Sequence, residues 1–507
     1  MTHTLRRAAF ALVLATAACA PAREAWRAPS AMPAPERATL RADLDALFTT
    51  PPFDTAVWSV RIERITAQGT PEPSNEVLYE RTPRTLVMPA SNMKIVTMAA
   101  AAETLGWDHR FETTLVAEGE IRGGTLHGDL RVIGGGDPSI ASANFGASPL
   151  FLEWAGALRA AGISRITGRV IGDDNVFDDQ TLGNGWAWDY LGWGYAAPVS
   201  GLQYGENVAV LRIRPGAREG DPATVLASPP GHGLDILSRV RTGAEKSIAD
   251  FELSRLPGQR ALTVTGTVPL GGAQSIRTAA VDNPTLFFVE GLREALMREG
   301  VRVDGPAADI DELEDYAPSA GARAIASRRS APLSELGAHF MKVSQNMYGE
   351  TFLKAMGGTP VVRKVLEGWG IAPGTYNIAD GSGLSRYNQL NAAMLTVILR
   401  RMYEDARHRG WFLASMPVAG HDGTLARRMA GTELQRAVQA KTGTIANARA
   451  MSGFLTAPSG ERFIFSIIGN NFLRPASEVD AIAEAALKRV LREASPAAPG
   501  ARGQAPR

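Results

Sequence analysis

The chain reads as a mixed α/β (α+β) fold, an antiparallel sheet covered by helices and interrupted by a large β-rich insertion. Three observations point there. Ala56 to Ile65 alternates apolar and polar residues, and near the other end Ala437 to Ile445, Ala448 to Thr456 and Arg462 to Asn470 are strand-like. A run from Ser91 to Leu105 is apolar on nearly every face, the mark of a helix buried in the middle of a domain. Three short motifs, at Ser91, Ser344 and Lys441, have residue types that belong to one site, yet 344 − 91 = 253 residues separate the first two. A stretch of that length is a domain in its own right. The 507 residues suffice for two or three domains, with 45% hydrophobic and 21% charged residues, ordinary for a globular protein. A formal net charge of +1 gives no general pull toward nucleic acid or anionic lipid.

From the N-terminus, Arg6-Arg7 precede an apolar stretch, Ala8 to Ala18, too short to span a bilayer. Residues 1–19 therefore read as a signal peptide. Cys19, the one cysteine, ends that stretch in Thr16-Ala17-Ala18-Cys19. The pattern resembles a bacterial lipoprotein signal, in which lipidated Cys19 tethers the chain to a membrane; Ala18-Cys19-Ala20 equally fits ordinary cleavage after Ala20. Both readings export the chain. One cysteine cannot form an intrachain disulfide. Residues 20–37, rich in Pro and Ala, read as a linker.

Strands are expected at 56–65 and 77–81. The apolar helix follows, with Pro89 at its start and Gly106 past its end. From 111 to 311 short strand-like pieces alternate with Gly-rich turns: Phe111–Glu118, Thr125–Ile133, Arg165–Asp173, Val208–Arg214 and Ala261–Val268. One clear helix, Pro284 to Glu299, stops at Gly300. Beyond 330 the pattern is helical, then three strands (437–445, 448–456, 462–470) lead to a last helix, 476–492. Residues 495–507 read as a disordered tail. The simplest division makes 111–311 an insertion into a domain formed by 38–110 and 312–494.

The chemistry lies in the motifs. A serine hydroxyl is a poor nucleophile until a base removes its proton. Ser91 and Lys94 stand three apart, on one face of a helix. Lys94 acts as a base only when neutral, so its pKa must fall from about 10.4 toward 7–8. Burial lowers it, and Lys441 is a second cation able to do so. Ser344 suits proton relay and Asn346 can bind a peptide carbonyl. Gln345, between them, is expected to point away. Lys441 and Thr442 can hold a carboxylate, and Gly443 permits close backbone approach. The N–H groups of Ser91 and Thr444 are placed to form an oxyanion hole. Among seven lysines a serine three residues upstream arises by chance about 0.4 times, so weight rests on the ordered set. No His or Cys cluster of metal-ligand spacing stands out, so no metal or other cofactor is expected.

On these motifs the chain resembles the D-alanyl-D-alanine carboxypeptidase/endopeptidase group of class C low-molecular-mass penicillin-binding proteins. The resemblance runs from about residue 40 to 490. Further blocks carry it: Gly134-Gly135-Gly136-Asp137-Pro138, Gly185-Trp186-Ala187-Trp188-Asp189 with Ala197-Pro198-Val199-Ser200, Asp380-Gly381-Ser382-Gly383-Leu384-Ser385-Arg386, and Gly420-His421-Asp422-Gly423-Thr424-Leu425. It implies a β-lactamase/transpeptidase-like catalytic domain in the bacterial periplasm. Ser91 would be acylated by a peptidoglycan stem peptide or a β-lactam, with Lys94 as base and Ser344, Asn346 and Lys441 completing the site. The resemblance also implies that Asp189 contacts a free diaminopimelate amino group beside Tyr195. Ile445 would form an apolar wall, and Arg386 and Thr424 would line the cleft. Asp137 and Asp380 read as turn formers. A β-lactamase or esterase on the same domain, and a non-catalytic wall-binding scaffold, are the competing readings.

Overall fold

The computed structural model describes residues 35–65, 76–141, 148–314, 316–319 and 321–494. The expected signal peptide with Cys19, most of the 20–37 linker and the 495–507 tail lie outside them. Five strands form an antiparallel sheet in the order Val438–Ile445, Ala448–Thr456, Arg462–Asn470, Val57–Ile65, Glu76–Arg81. The first and last parts of the chain thus share one sheet: Val57 pairs with Asn470 and Ile65 with Arg462 without a break in register.

Both faces of that sheet are covered, which is why every residue from Phe463 to Asn470 is buried. Along that strand, Phe463, Phe465 and Ile467 face one core and Ile464 and Ile468 the other. Helices Pro35–Thr49 and Ala476–Ala494 pack on the first side, with Leu40, Leu44 and Phe48 against Leu487 and Val490. Helices Met93–Thr104, Leu333–Val343, Asn346–Ala355 and Ala392–Glu404 pack on the second. The helix Pro35–Thr49 is an addition to the sequence reading; its start lies within the expected linker.

The middle of the chain builds two further cores. A seven-stranded sheet, with Glu112–Arg122 and Thr125–Ile133 as its central hairpin, is covered by helices Pro149–Ala160 and Pro284–Arg298. Its hairpin turns at Gly123-Gly124, both at positive φ, the geometry that suits strand twist. Between residues 208 and 280, two three-stranded sheets enclose Leu211, Ile213, Leu253 and Val264. Strand Arg323–Arg329 pairs antiparallel with Glu112–Ala117, so the seven-stranded sheet extends past residue 312. That strand, RAIASRR, is mostly exposed and carries little alternation to read. No helix among the described residues is long and apolar enough to cross a membrane.

Candidate active site

Ser91 sits not in the α-helix proper but in the 3-10 turn Ala90–Asn92 that precedes Met93–Thr104. Side chains three apart eclipse in such a turn, which brings Ser91 over Lys94. The turn is held under strain. Ala90 has φ +47, and a Cβ on Gly383 would lie 1.9 Å from the Ala90 carbonyl oxygen. Buried Asn92 donates to Ser452 Oγ at 2.7 Å, and Asn470 brackets Met88 through its N–H (2.7 Å) and carbonyl (3.1 Å). The turn is thus bonded to two strands of the sheet at its back.

Lys94 is fully buried. Its Nζ donates to Ser91 Oγ at 3.1 Å, Asn346 Oδ1 at 2.6 Å and the Ser382 carbonyl at 2.7 Å. Burial pulls its pKa down to about 7, against the opposing pull of Asp380 and Glu350. It is half neutral near pH 7 and within hydrogen-bond reach of a hydroxyl, the two requirements of a general base.

Lys441 is also fully buried and donates to Ser344 Oγ at 2.8 Å and to the Thr442 carbonyl at 2.8 Å. Burial and the proximity of Lys94 push its pKa well below the usual lysine value. Burial is the leading cause for both lysines, and the nearness of one ammonium disfavours charge on the other.

Ser344 caps helix Leu333–Val343 in the left-handed conformation, φ +64, and Asn346 opens the next helix. The reversal between the helices aims Ser344 at Lys441 and Asn346 at Lys94. Asn346 Nδ2 also donates to the Tyr195 carbonyl at 2.7 Å. Gln345 points away from the lysines, as expected, but it is not idle: it caps Met347 N and donates to Glu206.

The strand Val438–Ile445 is an edge of the five-stranded sheet. Pro417 and Ala419 bond its outer side at Val438 and Ala440; among the described residues no backbone group bonds that side from 442 to 445. Gly443 passes the Ser91 turn so closely that a Cβ would lie 2.8 Å from the Pro89 carbonyl and 3.0 Å from Ser91 N. Thr442 Oγ1 donates to Thr424 Oγ1 at 2.7 Å, so the Gly423–Leu425 turn lies beside the strand. The Thr444 hydroxyl accepts from Arg449, which pairs with Asp480. Half-buried Ile445 ends the strand.

The middle region supplies a wall. Trp186 donates to buried Asp380 at 2.9 Å, and Arg386 donates to the Tyr190 hydroxyl at 3.3 Å. Exposed Asp189 lies in the short turn Trp188–Tyr190. Tyr195, 44% exposed, stacks against Trp193 with ring centroids 6.1 Å apart.

Sequence reasoning missed the support beneath Lys94. Glu350 accepts from Gly381 N at 3.0 Å and Ser382 N at 2.8 Å, so it sets the carbonyl that Lys94 uses. Burial and Asp380 raise its pKa to about 8. Its place one helical turn after Asn346 was the available signal. Asp380 accepts from Gly383 N (2.7 Å), Ser385 N (2.6 Å) and Asn388 Nδ2 (2.6 Å), the turn former its sequence suggested. Far from this site, Asp174, Asp309 and Asp311 bring carboxylate oxygens within 4.8 Å of one another. Thr285 already donates to Asp174, and Asn283 to Asp309.

A serine held 3.1 Å from a buried lysine, beside a second lysine and an open sheet edge, places the molecule among the serine hydrolases. Its family follows from comparison with known proteins. Residues 40–493 match the model of the D-Ala-D-Ala carboxypeptidase 3 (S13) family, to which the chain belongs. It is a serine-type D-Ala-D-Ala carboxypeptidase. The D-alanyl-D-alanine carboxypeptidase of Actinomadura sp. (strain R39) is 34% identical over 466 residues, 86% of this chain and 82% of the relative. DacB of Haemophilus influenzae is 26% identical over 408 residues, 77% of this chain and 82% of the relative. The crystal structure of penicillin binding protein 4 (dacB) from Haemophilus influenzae superposes with a TM-score of 0.75 at 22% identity. It covers 89% of this chain and 99% of its own.

Proposed function

We propose that Ser91 is the nucleophile of this carboxypeptidase and that Lys94 is its base. The observation that carries the reading is Lys94: fully buried, 3.1 Å from Ser91 Oγ, with its pKa drawn to about 7. Neutral Lys94 takes the Ser91 proton as Oγ attacks the carbonyl of the penultimate D-Ala of a stem peptide. The tetrahedral oxyanion lies between the N–H groups of Ser91 and Thr444; losing one such donor costs about 2.7–4 kcal/mol. The C–N bond breaks, and the departing D-Ala amine receives a proton through Ser344, whose hydroxyl accepts from Lys441. Water then releases the acyl group by the reverse proton path. A β-lactam would enter the same way but leave its amine attached.

The open edge from 442 to 445 suits an extended peptide, added as a further strand. Thr442, Thr424 and Lys441 would bind its terminal carboxylate, and Gly443 leaves room for it. Asp189, with Tyr195 and Arg386 beside it, would meet a free amino group on the third residue, and Ile445 the apolar side of the acyl donor. A cleft open at this edge also admits a D-Ala–diaminopimelate cross-link, hence endopeptidase action. In this reading residues 38–110 and 330–494 form the catalytic domain and the region between is the insertion. The N-terminal segment exports it to the periplasm, where lipidation of Cys19 would anchor it.

Incubation of the protein and Ser91→Ala with fluorescent penicillin, followed by a denaturing gel, tests the assignment. A persistent label lost in the variant supports it. Rapid turnover of label supports the β-lactamase reading, and folded protein without label overturns both.

A further inference from the structure

We infer that Glu206, from the middle region, is a positioning residue for acylation, acting through Gln345 on the Ser344-Gln345-Asn346 reversal. The inference rests on the acylation reading above. Gln345 is engaged at both ends of its amide. Its Oε1 accepts from Met347 N at 2.8 Å, and its Nε2 donates to Glu206 Oε2 at 2.7 Å. Glu206 Oε1 meets His339 Nε2 at 2.9 Å, so the carboxylate also bridges to helix Leu333–Val343, which Ser344 caps. One side chain from outside the helical layer therefore ties the helix before the reversal to the residue at its centre.

The backbone around both partners is unusual. Glu206 (φ +57), Asn207 (φ +55) and Ser344 (φ +64) are all left-handed without being glycine. Such residues persist where their surroundings over-determine them, and they concentrate at working sites. The Glu206 turn is held from below. Asn207 accepts from Tyr204 N at 3.0 Å and donates to the Pro198 carbonyl at 2.9 Å. Gln203 reaches Thr351 at 2.9 Å, on the helix that Asn346 opens. The turn is a rigid bracket, and Glu206 is the part of it that touches the reversal.

The consequence for chemistry is geometric. Ser344 and Asn346 flank Gln345 and bond Lys441 and Lys94 respectively. Freeing Gln345 lets the left-handed residue relax and moves both contacts together. A charge-assisted hydrogen bond is among the stronger ones, but Glu206 and His339 are each about 40% exposed, which tempers it. The expected loss is about tenfold in acylation rate.

The test is a double-mutant cycle on the full protein, reading the acylation rate by fluorescent penicillin and folding by thermal melt. Wild type must label at Ser91; if it does not, the acylation reading fails before this one is reached. Glu206→Ala and Gln345→Ala are each expected to slow acylation about tenfold at saturating penicillin, and the double variant no further. Glu206→Gln keeps an acceptor for Gln345 and a donor for a neutral His339, and is expected to retain most of the rate. Folded Glu206→Ala acylating at the wild-type rate, or losses that multiply in the double variant, overturn the inference. Should Glu206→Ala fail to fold, wild-type acylation in Gln345→Ala overturns it alone.

Discussion

The floor of the cleft and its outer wall are built on opposite principles. Beneath Ser91 the groups are closely held and multiply bonded: Lys94 by three acceptors, the Gly381 and Ser382 N–H groups by Glu350, the 380–388 loop by Asp380. In the wall, Asp189 and Trp188 are exposed and Tyr195 is nearly half so. Burial shifts a lysine pKa because the charged form loses its water; an exposed carboxylate keeps its charge and meets ligands by attraction. In the proposed mechanism the floor transfers protons and the wall chooses what arrives. Changes to the floor should therefore act on every acylating substrate alike, and changes to the wall on some only.

The largest effect is expected at the floor's centre. Ser91→Ala should abolish penicillin labelling and lower peptide hydrolysis by about 10⁴-fold or more, measured as D-Ala release. Next, Lys94→Met should slow acylation about 10²- to 10⁴-fold. In the wild type kcat/KM should rise with pH through about 7, because Lys94 must lose its proton to act. A profile flat from pH 6 to 8 would remove Lys94 as the base. Gly443→Ala comes third. The new Cβ meets backbone rather than a flexible side chain, so about 1–3 kcal/mol of stability should be lost in a denaturant melt, with acylation slowed for both peptide and penicillin.

The smallest effect separates the regions. Asp189→Asn should lower kcat/KM about three- to tenfold for a stem peptide bearing a free amine, with penicillin acylation unchanged. Equal losses for both would mean that the wall serves the chemistry too. That outcome has a precedent within the molecule, since Tyr195 lends its carbonyl to Asn346.

Much of the floor was legible in the sequence because its chemistry restricts residue type. Ser91, Lys94, Ser344, Asn346 and Lys441 stand in short motifs, and an all-apolar helix announces burial. The strands Val57–Ile65, Ala448–Thr456 and Arg462–Asn470 were legible because burial on one or both faces leaves a strong pattern. Arg323–Arg329 was not, since an exposed edge strand selects little beyond solubility. Glu350 was missed for another reason: it works through backbone N–H groups of a loop 31 residues later, and a carboxylate contacting backbone has no partner residue to flag it.

From the sequence alone came the proposed nucleophile, both lysines and the proposed interruption of one domain by another, because each depends on residue identity or on chain length. Tertiary structure alone decided that both lysines are fully buried. It also decided that Gln345 is engaged rather than free, and that the middle region reaches into the site through Glu206 and Tyr195. Those depend on distance and burial in a low-dielectric interior, where a hydrogen bond between residues more than a hundred positions apart outweighs any local preference.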